Sequence, residues 1–580
     1  MAYAATRMHP GIRLVFPGHV CQVVPAENLG KSLHSSEIAN MNILTINLSL
    51  AGELKKMGHN LLEGNPPPGA ILDVEALCGR TGFTPDCVVQ QETLGKRVLL
   101  SNTISFSCPK VFWSIDTHLN TYWQRYYGQN FDLFLTTQKS WPPKLTRMGL
   151  KNTAWLPWYG VKRGWVPWEK RERDISFVGR ITEVRLMRKW MSDFLREYFR
   201  PHITQDIPFS AMLDTYAHTR LVPNEAIFGE VNFRTFEAAS CGALVISQDL
   251  GEDLCSLFEP GREIATYKDV LELKSLLEYY LKHPRQARII AAAGQDRVQR
   301  SHLPRHRASE LDSLIKDLTR GKNVNPNVWT WVSALWLQEN SSQKHPFGNL
   351  PSPDSLPVTA ETLFFRIQEA VRNDKKVLEH LVPIIQKEQF DFHLLFNTGC
   401  SFAAMHAGSL KLAKGFFLRH CQRCGRPVPK ISGRAELVRG WVRELVNAGE
   451  MMRPGFFYDP RQHLPQSALE CLIWLQAQNP AKPSLLPDIK NLLGNVTGSE
   501  PIVLQFLSQL SLQRQKDWGY NLDLARINLK AFRLRQGLEE LILAQENAAR
   551  AGEEKHFHSR LKRLDKKGLL RTALDEVNYA

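Results

Sequence analysis

Over residues 1–320, short apolar runs alternate with amphipathic stretches. RLVFPG (13–18), CVVQQ (87–91), VFWSID (111–116), FDLFLTT (131–137) and TAWLPW (153–158) are rich in branched and aromatic residues and bounded by Gly, Pro, Asn or Asp. Runs of that length and make-up predict buried strands. Between the first two, NLSLAGELKKMGHN (47–60) repeats its apolar residues every three to four positions, which predicts a helix ending at Gly58. Strand, helix, strand in succession predicts a parallel sheet covered on both faces.

A second unit follows the charged stretch WEKRERD (168–174). DISFVGR (174–180) reads as a strand entering a glycine turn, and RLMRKWMSDFLREYF (185–199) as an amphipathic helix. TRLVPN (219–224) and ALVISQ (243–248) read as strands flanking the helical FRTFEAAS (233–240). The expected fold class is therefore α/β, with two tandem Rossmann-like doubly wound domains at 1–168 and 169–340. The helix NVWTWVSALWLQEN (327–340), carrying Trp329, Trp331 and Trp336, is expected to close the second and, as the last helix of a fold of this kind, to cross back onto the first.

Beyond SSQKHPFGNLPSPDSLP (341–357), which has the composition of a linker, the strand signal ends. Residues 358–580 read as helix after helix, an all-α helical-repeat or bundle domain. Gly399, Ala403, Ala407 and Ala413, set among Phe402, Phe416 and Phe417, predict helix pairs in close contact. Such pairs suggest a tetratricopeptide-like array, although no strict 34-residue period is visible.

Composition narrows the partners. A chain of 580 residues with 43% hydrophobic and 23% charged residues is globular, with room for three or four domains. Its net charge of +15 suits anionic partners, with nucleotide phosphates, nucleic acid and acidic lipid all open at this point. Ten scattered cysteines form no disulfide framework, and neither a signal-peptide core nor a run of 18 apolar residues occurs; a cytoplasmic protein without a membrane span is expected. HCQRC (420–424) contains a C-x-x-C but no second pair follows, so no zinc is expected there. The basic run KHFHSRLKRLDKK (555–567) reads as a solvated helix face, and nucleic acid is not expected as a partner.

Open α/β sheets bind ligands beyond the carboxyl ends of their strands, so the crevice between two such domains is the expected site. Neither G-x-G-x-x-G nor G-x-x-x-x-G-K-[ST] is present, which removes the main support for dehydrogenase and P-loop readings. The informative stretch runs from 224 to 307. It holds N-x-R-x-F-E-A at Asn232 to Ala238, Cys241-Gly242-Ala243, F-E-P-G-x-E at Phe258 to Glu263 and H-x-x-x-H-R ending at Arg307, after FVGR at 177–180. This resembles the second domain of GT-B glycosyltransferases (glycosyl transferases group 1 type), in particular the CgeB-like group. Over 1–170 only VFWSIDTH (111–118) looks family-like, and 358–580 lie outside the resemblance.

The resemblance implies a nucleotide-sugar donor held by the second domain, with no metal and no cofactor. Glu237 falls where the family grips the ribose, and a carboxylate suits two vicinal hydroxyls. Arg234 and the Gly179–Arg180 turn would meet the diphosphate, with Asn224 and Asn232 beside the donor. Many retaining members place two glutamates with seven residues between them; here Glu230 and Glu237 have six between, and Gly229 stands where the first is usual. The stereochemical outcome therefore stays open.

In the first domain, PGH (17–19) and SIDTH (114–118) follow strands and open toward the crevice, making His19, Asp116 and His118 candidates for an acceptor-side base. The plainer alternatives are that Asp116 caps the next helix, that His118 is a surface residue and that Arg234 pairs with Glu230. Trp141, Trp155, Trp158, Trp165 and Trp168 crowd the junction between the domains and read as packing. The expected function is transfer of a sugar from a nucleotide sugar to a macromolecular acceptor, by analogy a protein such as flagellin or a surface polysaccharide, recognised through the helical domain. The alternatives are a nucleotide-sugar epimerase, or a non-catalytic scaffold binding a protein partner.

Overall fold

The computed structural model describes residues 40–103, 106–318, 327–340, 347–373, 376–427, 429–478, 486–494 and 496–578. The strand expected at 13–18 lies outside them, as do His19 and the first part of the expected linker.

Along the chain the strands are β1 (Asn42–Ile46), β2 (Asn60–Gly64), β3 (Ile71–Asp73), β4 (Cys87–Gln91), β5 (Leu99–Ser101), β6 (Lys110–Ser114), β7 (Leu133–Thr136), β8 (Thr153–Trp155), β9 (Arg173–Val178), β10 (His202–Thr204), β11 (Thr219–Asn224), β12 (Leu244–Gln248) and β13 (Ala265–Tyr267). They form a six-stranded sheet of order β2-β1-β4-β6-β7-β8, a five-stranded sheet of order β10-β9-β11-β12-β13 and a β3-β5 pair. Every pairing is parallel, as expected for strands joined through helices. All five residues of β6 are buried, which is why KVFWS is nearly continuous in apolar character.

The strands expected at β4, β6, β7, β8, β9, β11 and β12 are present. β3, β5, β10 and β13 have three residues each, too few for a two-residue alternation to show, and their pairing partners supply the order. β1 and the helix Ala51–Lys56 are divided by Asn47, whose φ of +52° ends the strand before the helix starts.

The two α/β halves are tied by helices that cross back. The helix Pro304–Lys316, which follows the second sheet, buries Ala308, Leu311 and Ile315 against Ile43, Val89 and Trp113 of the first. The helix Val328–Glu339 docks on the helix Thr117–Tyr127 as expected, with Trp336 stacked on Tyr126 at 6.2 Å and Thr330 Oγ1 donating to the Leu100 carbonyl.

The remaining chain is helical, with neighbours such as Leu394–His406 and Leu410–Arg423 paired across short connections. At Gly399 an added Cβ would meet the Phe364 ring at 2.5 Å, so the small residue sets how closely the helix Leu394–His406 approaches the helix Ala360–Arg372. This region is continuous with the first half. Trp336 also packs on Phe364, Phe365 and Phe456, and Phe456 lies 5.3 Å from Tyr122. Its far end returns to the second half, where Arg535 pairs with Glu197 and Lys567 with Glu272. Among the described residues no helix is long and apolar enough to cross a membrane.

Candidate active site between the two sheets

On the first sheet the strand ends are held by Glu92, the residue after β4. Its Oε2 accepts the backbone N–H groups of Ile115 (2.8 Å) and Asp116 (2.9 Å), while Oε1 accepts from Asn120 Nδ2 (2.8 Å). Arg97 completes the group, donating to Asn120 Oδ1 and lying 3.6 Å from Glu92. Burial raises the Glu92 pKa, and Arg97 opposes it. The network fixes the backbone of Asp116 and leaves its side chain uncommitted. Asp116 stands at the N-cap of the helix Thr117–Tyr127, yet its carboxylate accepts no capping hydrogen bond, so helix capping does not explain it. It is half-buried, and burial raises its pKa against the pull of Arg97 and Arg185. His118 is no surface residue, being 1% exposed.

On the second sheet the register of β9 with β11 pairs Thr219 with Arg173 and Leu221 with Ile175, short of Pro223, which has no N–H to offer. Arg234 fills the ends of these strands. Its Nε donates to the Val178 carbonyl (3.1 Å), its Nη1 to Asn224 Oδ1 (2.8 Å), and its guanidinium lies 4.2 Å from the Phe177 ring. Arg234 does not pair with Glu230. Gly179 makes room for it, because a Cβ there would stand 2.5 Å from Arg234 Nη2.

Several residues expected around the donor are engaged within the fold. The Gly179 N–H donates to the Thr204 carbonyl. Arg180 is exposed and pairs with Asp206 at 2.9 Å. The Asn224 amide donates to Thr235 and Ser247 while accepting from Arg234. Asn232 N-caps the helix Phe233–Ser240 by position and donates to the Glu225 carbonyl, and its buried Oδ1 has no hydrogen-bond partner among the described residues.

Glu237, one turn along that helix, is half-buried beside Arg234. Burial pushes its pKa up to about 7, Arg234 opposing, and no hydrogen bond from the described residues engages its carboxylate.

The halves meet at His118. Its Nε2 lies 3.2 Å from Glu230 Oε2, and Glu230 is 5% exposed. Burial pushes the His118 pKa down to about 3, and burial with the charges of Asp116 and Glu225 drives Glu230 well up. Both shifts favour a neutral imidazole beside a protonated carboxyl. Next to this pair Gln138 exchanges two hydrogen bonds with the Val231 backbone, and Ser140 donates to Asp253. The crowded tryptophans pack as expected, Trp158 lying 5.4 Å from Trp113 and 4.4 Å from Phe233.

The structure thus brings Asp116, His118 and Glu230 together and keeps Glu237 with Arg234. It adds residues that the sequence pattern did not single out: Glu92, Arg97, Arg185, Arg188 and Glu225. Arg188 pairs with Glu225 at 3.0 Å. Arg185, just before the helix Leu186–Tyr198, is an exposed residue whose guanidinium is nonetheless partly desolvated; it has no ion pair among the described residues, and its charge reaches Asp116, Glu225 and Glu230. Its place five residues after Arg180 at a helix start was the available signal.

Two loops of the helical region pack beside these residues. Gly455 lies where a Cβ would come within 2.2 Å of the Leu119 carbonyl oxygen, and Gly498 packs on Phe228, two residues before Glu230.

Residues 165–313 match the family described as glycosyl transferase-like. No curated protein matches the chain. Among solved structures, it is similar to sucrose-phosphate synthase from Thermosynechococcus elongatus, at 12% identity and a TM-score of 0.37 over 48% of this chain and 98% of that one. It is also similar to a glycosyltransferase from Rickettsia africae, at 12% identity and a TM-score of 0.35 over 48% of this chain and all of that one. A third is Anabaena HepE in complex with UDP-glucose, at 11% identity and a TM-score of 0.33 over the same shares.

Proposed function

We propose that this chain is a GT-B-type glycosyltransferase that moves a sugar from a nucleotide donor to a macromolecular acceptor. The supporting observation is that the glycosyl transferase-like stretch carries Arg185, which has no ion pair among the described residues and whose charge reaches Asp116, and Glu237, whose carboxylate accepts no hydrogen bond from them. In this reading Glu237 accepts the ribose hydroxyls. Because the Gly179 N–H is already spent, Arg185 and the helix start behind it take the diphosphate. That charge is the chief electrostatic burden of sugar transfer, and a donor aimed at it is worth about 3 kcal/mol. Side chains thereby carry the leaving group without a metal.

Asp116 takes the proton of the acceptor hydroxyl. Burial raises its pKa and so makes it a stronger base than an ordinary carboxylate, and such a placed base contributes roughly 10²–10⁴ in rate. The helical region frames the acceptor's entry, since its Gly455 and Gly498 loops rest on either side of the His118–Glu230 contact.

The test is a thermal-shift panel of nucleotide sugars on wild type and Glu237→Ala. One donor should stabilise the wild type selectively and the variant less; a chain indifferent to every donor overturns the reading. Turnover of the donor without any acceptor would favour an epimerase.

A further inference from the structure

We propose that Asp116, His118 and Glu230 form a binding site for one borderline divalent cation, of which Zn²⁺ is the type, and that this cation clasps the two α/β halves. One ligand atom from each of the three lies within 4.8 Å of the others. The 3.2 Å between His118 Nε2 and Glu230 Oε2 is the spacing of neighbouring ligands on one metal with bonds of about 2.0–2.2 Å. One imidazole with two carboxylates is a ligand set for zinc-like ions, and the two acid groups match a divalent charge.

The independent observation is His118 itself. Both of its ring nitrogens are buried and neither makes a hydrogen bond among the described residues, Nε2 lying 3.2 Å from Glu230 Oε2 without the alignment of one. A buried imidazole is ordinarily satisfied at its nitrogens, so one aimed at a carboxylate pair and left unbonded points to a missing partner. The surroundings are built to hold such a site. Glu92 pins the backbone of Ile115 and Asp116, and Thr117 Oγ1 donates to Ser114 Oγ, fixing the first turn that carries His118. Because His118 and Asp116 follow β6 while Glu230 follows β11, a bound cation joins the sheets that the reaction must bring together. Asp116 is also the base of the function proposed above. On that reading alone, occupancy withdraws it and holds the enzyme closed and inactive.

The full chain, stripped with chelator, is titrated with Zn²⁺ by calorimetry and with Co²⁺ as a spectroscopic stand-in. The expected result is one equivalent bound, with a cobalt absorption band typical of nitrogen and oxygen ligands. Affinity should fall about tenfold or more in His118→Ala and in Asp116→Asn, the latter a half-exposed position whose loss spares the buried pair. Absence of saturable binding, or binding unchanged in both variants, overturns the site. The nucleotide-sugar panel run on the metal-free protein separates the two proposals. A donor response without cation binding sinks the clasp alone, and cation binding without a donor response sinks the transferase alone.

Discussion

Nε2 of His118 lies 3.2 Å from Oε2 of Glu230, and the two residues come from different sheets. The contact couples the seating of the halves to two groups whose burial resists charge. An imidazole with its pKa pushed down to about 3 refuses a proton that the unfolded chain accepts near pH 6.5. The unfolded state therefore binds more protons between these values, and stability falls as the pH drops through that window. His118→Asn should lose less stability than wild type on acidification from pH 7 to about 5. Urea unfolding at both pH values measures this, and equal losses in the two proteins would contradict the shift.

Glu237 supplies a second pH dependence, this one on ligand binding. Its carboxyl, raised to about 7, is partly protonated at neutrality, while the ribose hydroxyls need the ionised form as acceptor. Donor affinity should rise with pH through about 7, approaching tenfold per unit below that value. Glu237→Gln should bind weakly and show no such slope. Calorimetry between about pH 6 and 8 reads both.

The two arginines of the turn after β9 should behave differently. Arg185→Ala should slow transfer roughly a hundredfold if it meets the leaving diphosphate. Arg180→Ala removes an exposed pair with Asp206, worth at most about 1 kcal/mol, and should leave kcat within about twofold. Similar losses in both variants would assign the diphosphate to the turn as a whole.

Gly498 has a φ of +85° and sits where a Cβ would stand 2.8 Å from the Phe228 backbone. Gly498→Ala is strained twice, by conformation and by contact, and should cost about 1–3 kcal/mol. Thermal melts read this cost. A change in acceptor KM at unchanged donor affinity would show that the helical loop governs acceptor entry.

Trp336→Ala should cost about 3–5 kcal/mol, because one indole joins Tyr126 of the first half to Phe364, Phe365 and Phe456 of the helical region. Removing residues 358–580 exposes the same surface. Loss of a cooperative melt is the expected outcome, so point variants are the cleaner way to test that region's role.

The alternation of buried runs and amphipathic stretches marked β4, β6, β7 and β8 of the first sheet and β9, β11 and β12 of the second, because a strand covered on both faces carries an unbroken apolar run, as CVVQQ, KVFWS and LVISQ do. The same local logic marked Asp116 and His118, which directly follow a predicted strand, whereas Arg234 and Glu237, on the helix after β11, were marked by the family resemblance of the stretch that holds them. What each side chain does was decided only by tertiary structure. Nothing local distinguishes Gly179, whose N–H is consumed by β10, from a glycine with a free amide. Nor does a local pattern separate Arg180, paired with Asp206, from Arg185, whose charge reaches Asp116 and Glu230, or reveal that His118 and Glu230 touch. Strand and helix formation follow from the period of neighbouring residues, whereas charge, hydrogen bonding and burial at a site depend on groups that only the folded chain brings within a few ångströms.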